Sequence, residues 1–252
     1  MRISVLGLIL VLACRSDEGR MAPADRPVCA LPPRVCELGA ARCGALVRFA
    51  PERGPGYEDV PLAAEVDEHS TSWLRRDLMM LVQYAAAKVA CEAARWPGNG
   101  GPIALGDMSE RDGSIPGTWS GEPRHGAGTH TGGRDIDLGY FQVGTEDNHL
   151  RPICPHLRGG EKQYRCLGPP TTLDADRTAL FIGALFEEPR VRAVGMDAAA
   201  AAPIEAALRR LCAEGWIARA ACARARLAYE REDSGRGWYH GHHHHFHVSW
   251  GG

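Results

Sequence analysis

The sequence predicts an α+β fold in which helices pack on a small antiparallel sheet. Between Ser72 and Ala94, apolar residues recur every three or four positions, which is the spacing of one helix face. The segments Asp135–Phe141 and His245–Trp250 instead alternate with the period of two that is typical of strands. Helical segments together with separate strands indicate the α+β class.

The N-terminal sequence predicts that the protein is exported from the cytoplasm. Arg2 precedes an apolar run from Ile3 to Ala13, which is too short to span a bilayer as a mature helix and reads as a signal peptide over residues 1–13. A small residue directly before Cys14 resembles a bacterial lipoprotein processing site, where the cysteine is lipidated. Cleavage near Ala13 without a lipid is the alternative, and a palmitate label distinguishes the two.

The domain organisation follows from composition. Residues 15–60 are rich in Pro, Arg, Gly and Cys without sustained periodicity, which predicts a tether followed by an irregular arm. Residues 61–252 are predicted to form one domain with its own core.

The elements of that domain follow in chain order. The helix of Ser72–Ala94 ends at the Trp96–Gly101 segment, and Ile103–Leu105 reads as a short buried strand. We expect another helix over residues 174–187. Residues 197–228 are expected to form two or more helices with a break near Gly215, and Pro203 is expected to start the second of them.

Two strands carry the groups that can bind a metal. On the first, Asp135 and Asp137 share a face while Ile136 packs behind them; on the last, His245 and His247 project together. His130 lies seven residues before Asp137. Two histidines and one carboxylate are a typical catalytic zinc set, which leaves a coordination position for water.

The terminal histidine run has an ordinary interpretation as well. A purification tag or a solvated tail also binds divalent ions, but alternating Phe246, Val248 and Trp250 favour a strand. Extra imidazoles at His240, His243 and His244 leave the register of this run open.

The number of cysteines is consistent with an exported protein. Nine cysteines minus Cys14 leave eight, an even number that an oxidising compartment can pair. Cys154 with Cys166 and Cys212 with Cys222 would each close a short loop, whereas the pairing of the others stays open. The other four are Cys29, Cys36, Cys43 and Cys91.

The net charge excludes one class of partner. A formal charge of −2 leaves no basic surplus for nucleic-acid binding. A membrane partner is expected only through the lipid anchor, so substrates are expected outside the cytoplasm.

These motifs, in this order, resemble the penicillin-insensitive murein endopeptidases, zinc peptidases related to the lysostaphin-like and D-Ala-D-Ala dipeptidase enzymes. The resemblance runs from about Ser72 to Trp250. Its motifs are Leu105-Gly-Asp-Met-Ser109, His130-x-x-Gly-x-Asp-x-Asp137, Asp174-Ala-Asp-Arg177, Trp238-Tyr239 and His242-x-x-His245-Phe-His247-Val.

The resemblance implies roles for individual residues. His130, Asp137 and His247 would bind one zinc ion per chain, with His245 and His242 as catalytic histidines beside it. Five further residues are expected to support the site or line the substrate groove, each with an ordinary structural alternative: Asp135, Asp107, His125, Trp238 and Tyr239. The family often has a histidine three residues before the first ligand, but Ala127 stands there and His125 lies two residues further away.

The resemblance also implies a function. The expected activity is hydrolysis of peptidoglycan peptide cross-links, between D-Ala and meso-diaminopimelate, in the periplasm or cell envelope. Two alternatives stay open, a zinc carboxypeptidase that releases D-Ala and a non-catalytic zinc-binding envelope protein of the same fold. An open groove would favour the endopeptidase and a closed pocket the carboxypeptidase.

Overall fold

A computed structural model describes residues 26–37, 42–60, 71–118 and 120–251. The predicted signal peptide, Cys14, and residues 15–25 and 38–41 of the predicted tether and arm lie outside these residues. Within the described part, no helix combines the length and the apolar character needed to cross a membrane.

The described residues form four helices and eleven short strands. The helices are α1 (Arg76–Glu92), α2 (Ala175–Leu185), α3 (Ala198–Ala213) and α4 (Arg219–Arg224). The strands are β1 (Leu46–Arg48), β2 (Arg53–Gly54), β3 (Tyr57–Asp59), β4 (Trp73–Arg75), β5 (Ile103–Leu105), β6 (Asp135–Gly139), β7 (Leu157–Arg158), β8 (Glu161–Lys162), β9 (Val191–Gly195), β10 (Leu227–Ala228) and β11 (His245–Trp250).

The main sheet corrects the prediction of a small antiparallel sheet. It has seven strands in the order β10-β9-β11-β6-β5-β3-β2, and it is mixed. The pairs β3–β5 and β9–β10 are parallel, whereas the strands between them are antiparallel. Parallel neighbours need a crossover, which α1 supplies for the first pair and α3 with α4 for the second. The α+β class is compatible with this architecture.

Three of the sequence predictions about elements change. Residues 73–75 are extended and pair with β1, so α1 begins at Arg76 rather than at Ser72. Pro203 lies inside α3, near its N-terminus, instead of starting a separate helix; the break near Gly215 is confirmed. The arm that was predicted to be irregular contributes β1, β2 and β3, because pairing with distant strands orders it without local periodicity.

The core lies between the helices and one face of the sheet. Ile136 and Leu138 of β6 and Phe246 and Val248 of β11 are fully buried, and Phe181 of α2 lies against Phe246 with ring centroids 6.0 Å apart. Alternation then places Asp135, Asp137, His245 and His247 on the opposite face. The sheet therefore has one apolar face and one face that carries the titratable groups.

Four disulfides join the eight described cysteines. Cys154–Cys166 and Cys212–Cys222 are the two local pairs that the sequence predicts. The other two are Cys29–Cys91, which ties the arm to α1, and Cys36–Cys43.

Candidate metal centre

The pairing of β6 with β11 sets the positions of the site residues. His247 lies directly opposite Asp137, and Ser249 lies opposite Asp135. Because side chains alternate along a strand, a slip of one residue would turn His245 and His247 towards the helices. This register settles which face the two histidines occupy.

Three imidazoles surround one oxygen of Asp137. His247 Nδ1 lies 3.0 Å, His130 Nε2 3.3 Å and His245 Nε2 3.4 Å from Asp137 Oδ1. His130 Nε2 and His247 Nδ1 are 3.1 Å apart. All four side chains are at most 9% exposed, so the cluster is shielded from bulk water.

The second oxygen of Asp137 faces the cluster without a partner of its own. Asp137 Oδ2 is buried and accepts no hydrogen bond within the described residues. His125 Nε2 is 4.0 Å away. The ligand atoms of His125, His130 and Asp137 lie within 4.8 Å of one another, so this group could hold a metal ion.

The donor spacing fits a small tetrahedral cation. Ligand atoms about 2.1 Å from a tetrahedral ion are separated by about 3.4 Å. The separations among His130 Nε2, His247 Nδ1 and Asp137 Oδ1 are 3.1, 3.3 and 3.0 Å, close to that value without any rearrangement of the backbone. The unpartnered Asp137 Oδ2 adds a negative charge that such a cation would neutralise.

His130 is held from both sides. Its Nδ1 lies 2.9 Å from the Met108 carbonyl oxygen, which can only accept, so Nδ1–H donates and the Nε2 lone pair faces the cluster. The backbone of His130 has a φ of 52°, and its N–H donates to Asp135 Oδ2 at 3.0 Å. This hydrogen bond stabilises a left-handed conformation that is uncommon for a residue with a side chain.

Asp135 orients His247 as well. Asp135 Oδ1 accepts from His247 Nε2 at 3.0 Å and from the Ser249 hydroxyl at 2.6 Å. Nδ1 of His247 therefore points towards Asp137. A carboxylate that fixes a ligand imidazole from behind is a recurring outer partner of metal sites.

Asp107 supports the side of the cluster nearest His125. Its carboxylate accepts hydrogen bonds from Arg124, from His125 Nε2 at 2.9 Å and from the Thr71 hydroxyl at 3.3 Å. The His125 ring stacks on His130 with centroids 3.8 Å apart. Asp107 is therefore buried beside the cluster and hydrogen-bonded to its neighbours, and it is not a solvent-exposed turn residue.

Burial and charge oppose each other in the pKa values of this cluster. Burial raises the pKa of Asp137, but the neighbouring imidazoles outweigh it and hold that pKa well below its usual range. Burial lowers the pKa of His247, yet hydrogen bonds to Asp135 and Asp137 raise it to about 9.

His245 and His242 lie next to each other beside the cluster. Burial lowers the pKa of His245 well below its usual range and lowers that of His242 to about 4. Their ring centroids are 5.3 Å apart, and His242 Nδ1 is buried without a hydrogen-bond partner among the described residues.

A cleft of about 410 Å³ opens onto this cluster. The Trp238 ring lies 5.8 Å from that of His247 and 5.4 Å from that of His242, and it forms one wall. Tyr239 does not line this cleft; it packs against Arg165, 5.0 Å from the guanidinium carbon, beside another hollow. The described cleft lining also includes His125, Asp137, His242 and His247.

Sequence reasoning missed several supporting groups. Ser249, Arg124 and the Met108 carbonyl all touch predicted site residues. Ser249 could have been found, because it shares a strand face with His247; the Met108 carbonyl carries no signal in the sequence.

A comparison with protein-family models found no matching family, and a comparison with curated proteins found no matching relative.

Proposed function

We propose that this chain is a zinc-dependent murein endopeptidase that hydrolyses peptide cross-links of peptidoglycan, between D-Ala and meso-diaminopimelate. The observation that carries the proposal is the convergence of His130 Nε2, His247 Nδ1 and Asp137 Oδ1 at separations of 3.0 to 3.3 Å, beside a cleft. The bond specificity rests on the family-like motifs of the sequence.

His130, Asp137 and His247 would hold one zinc ion per chain. Both imidazoles present one nitrogen to the cluster and bond outward through the other, as ligands of a structured site do. His125 is the alternative third ligand, but its Nε2 already faces Asp107 at 2.9 Å. We therefore assign His125 to the support of Asp107. Bound zinc would supply a Lewis acid for the scissile carbonyl and an activated water.

His245 is positioned for proton transfer. Its Nε2 lies 3.4 Å from Asp137 Oδ1, next to the proposed ligands. A histidine held there can move a proton between the nucleophile and the leaving amine, or stabilise developing negative charge. His242, whose Nδ1 has no described hydrogen-bond partner, lines the same cleft and can bind a substrate group.

The disulfides support the proposed location outside the cytoplasm. Four disulfides favour an oxidising compartment, and together with the predicted signal they support a lipoprotein of the periplasm or cell envelope. Its partner there would be cross-linked peptidoglycan.

Digestion of purified sacculi tests the proposal. The mature protein is incubated with sacculi as purified, with a chelator, and with chelator followed by excess zinc, and the products are identified by mass. Conversion of cross-linked dimers to monomers, lost with chelator and restored by zinc, is expected. Loss of terminal D-Ala without dimer cleavage would instead support the carboxypeptidase, and zinc binding without either product would support a non-catalytic protein.

A further inference from the structure

Tyr140 joins the main sheet to the segment that carries His242. Tyr140 directly follows β6, and His242 lies in the irregular segment before β11. The Tyr140 hydroxyl lies 3.0 Å from the His242 carbonyl oxygen, which can only accept, so Tyr140 donates. We propose that Tyr140 is a positioning residue, which holds His242 at the cleft through this hydrogen bond. Its effect on hydrolysis rests on the proposed function.

The Tyr140 hydroxyl has a fixed orientation. Its oxygen accepts from the Asp197 N–H at 3.4 Å, which leaves the hydroxyl proton for the His242 carbonyl. Asp197 is itself fixed at the N-cap of α3, because its carboxylate accepts from the Ala199 N–H and the Cys166 N–H, each at 2.8 Å. Tyr140 therefore donates from a restrained part of the fold.

Burial makes this hydrogen bond hard to replace. Tyr140 is fully buried, and its ring packs against that of Phe246 with centroids 5.7 Å apart. Burial, followed by the charge of Asp197, raises the pKa of Tyr140 well above its usual range, so the hydroxyl keeps its proton. A buried hydroxyl that loses its acceptor has no bulk water to replace it, so we expect the bond to persist.

Two further hydrogen bonds hold the residues on either side of His242. The Gly241 N–H donates to the Tyr164 carbonyl oxygen at 2.7 Å. The Ile153 N–H donates to the His243 carbonyl oxygen at 3.0 Å. Residues 241–243 are thus held at three consecutive positions. The bond to the His242 carbonyl is the one of these three that a side chain supplies, so a single substitution can remove it.

The placement of the His242 ring depends on its backbone. The ring lines the cleft, with its centroid 5.3 Å from that of His245 and 5.4 Å from that of Trp238. Its Nδ1 is buried without a hydrogen-bond partner among the described residues, so no such bond fixes that nitrogen. A shift of the backbone would therefore move Nδ1 relative to a bound substrate. A misplacement of about 1 Å can lower an enzymatic rate about 100-fold.

A double-mutant cycle tests whether Tyr140 acts through His242. Tyr140→Phe keeps the ring and removes the hydroxyl, so zinc content should not change. It should lower kcat/KM for dimer cleavage at least about tenfold in the wild-type background, and less than about twofold in a His242→Ala background. Tyr84→Phe, which removes a hydroxyl that donates to Glu187 at 2.9 Å, is the matched control and should change neither value. Equal tenfold losses in both backgrounds, or no loss in either, overturn the inference.

NMR of the histidine rings tests the same contact without any activity. The Cε1–Hε1 peak of His242 is assigned by its loss in His242→Ala. It should shift in Tyr140→Phe and stay in place in Tyr84→Phe, because the nearby Trp238 ring makes its frequency sensitive to position. A His242 peak that does not move in Tyr140→Phe overturns the inference.

The wild-type protein provides a test that needs no folded variant. The buried Tyr140 hydroxyl proton should be protected from exchange with solvent and should show a nuclear Overhauser effect to backbone protons beside the His242 carbonyl. A hydroxyl proton that exchanges freely overturns the inference. Failure of the zinc-loaded wild type to cleave dimers would contradict the proposed function, and the two NMR measurements would then decide the role of Tyr140 by themselves.

Discussion

Asp135 contacts two of the proposed ligands, His130 and His247, at once. It accepts from the His130 backbone and from the His247 ring, each at 3.0 Å. Neither contact requires Asp135 to touch the metal.

We therefore expect Asp135→Asn to weaken zinc binding by about 10- to 100-fold, which is typical for loss of an outer carboxylate partner. Zinc affinity is measured by competition with a chromophoric chelator. Asp233→Asn, at a carboxylate that is 59% exposed, is the matched control. Equal affinities for Asp135→Asn and the wild type would show that Asp135 does not orient His247.

His247 and His125 compete for the third ligand position. His247 Nδ1 lies 3.0 Å from Asp137 Oδ1, whereas His125 Nε2 lies 4.0 Å from Asp137 Oδ2 and 2.9 Å from Asp107. We expect His247→Ala to lose stoichiometric zinc and His125→Ala to keep it with reduced affinity. Zinc analysis after exhaustive dialysis distinguishes the two, and the reverse result would make His125 the ligand.

At the scale of elements, the loop between β10 and β11 carries Trp238, which forms one wall of the cleft, and the carboxylate of Glu230 holds this loop together. Glu230 Oε1 accepts from the Ser234 N–H at 3.0 Å and from the Ser234 hydroxyl, while Oε2 accepts from the Trp238 N–H at 2.7 Å. These bonds bring the Trp238 ring onto Gly195, where a Cβ would come within 1.7 Å of it.

Gly195→Ala should displace the Trp238 ring, whose carbon atoms are the first that the added methyl would meet. We expect the KM for dimer cleavage to rise at least about tenfold while one zinc per chain remains bound, because an overpacked ring must leave its place in the cleft wall. Gly168→Ala, where the nearest atom to the added methyl is 3.7 Å away, is the control. An unchanged KM for Gly195→Ala would remove Trp238 from the substrate-binding wall.

Glu230 also gives this loop a defined pH dependence. Hydrogen bonds, first from the Ser234 side chain and then from the backbone N–H groups, lower the pKa of Glu230 from 4.5 to about 2. A lowered folded-state pKa stabilises the fold above the unfolded value, and this stabilisation is lost as pH falls through about 2. The difference in Tm between wild type and Glu230→Gln should therefore be constant above about pH 5 and shrink towards pH 2. A difference that is independent of pH would contradict this role.

Strand patterns predicted the centre better than they predicted the sheet around it. Alternation along His245–Trp250 is local, so β11 and the shared face of His245 and His247 could be inferred. Strand β3 has only three residues and pairs with β5 across more than forty positions, so nothing local marks it. His125 lies in a glycine-rich loop, and only the folded chain brings it onto His130.

At the scale of the whole molecule, the arm is joined to the helical layer by the Cys29–Cys91 disulfide. The cysteines are 62 residues apart, so sequence spacing could not pair them. Arg34 of the arm also contacts Glu187, which binds Lys88 of α1 at 2.5 Å. The arm is thus covalently and electrostatically attached to the domain.

Loop-closure entropy predicts that this disulfide stabilises the chain more than the shortest one does. The double variant Cys29→Ala/Cys91→Ala should lose about 4 kcal/mol of unfolding free energy, against about 2 kcal/mol for Cys36→Ala/Cys43→Ala. Urea denaturation of the two variants and the wild type measures both losses. Equal losses would show that the arm adds no long-range constraint.

The most direct test of the central proposal is conversion of purified cross-linked dimer muropeptides to monomers by the zinc-loaded mature protein and by its His130→Ala variant. The wild type should produce monomers, whereas His130→Ala, which removes a nitrogen 3.3 Å from Asp137 Oδ1, should produce none above the no-enzyme control. Dimer cleavage that persists undiminished in folded His130→Ala would contradict a catalytic zinc centre at His130, Asp137 and His247.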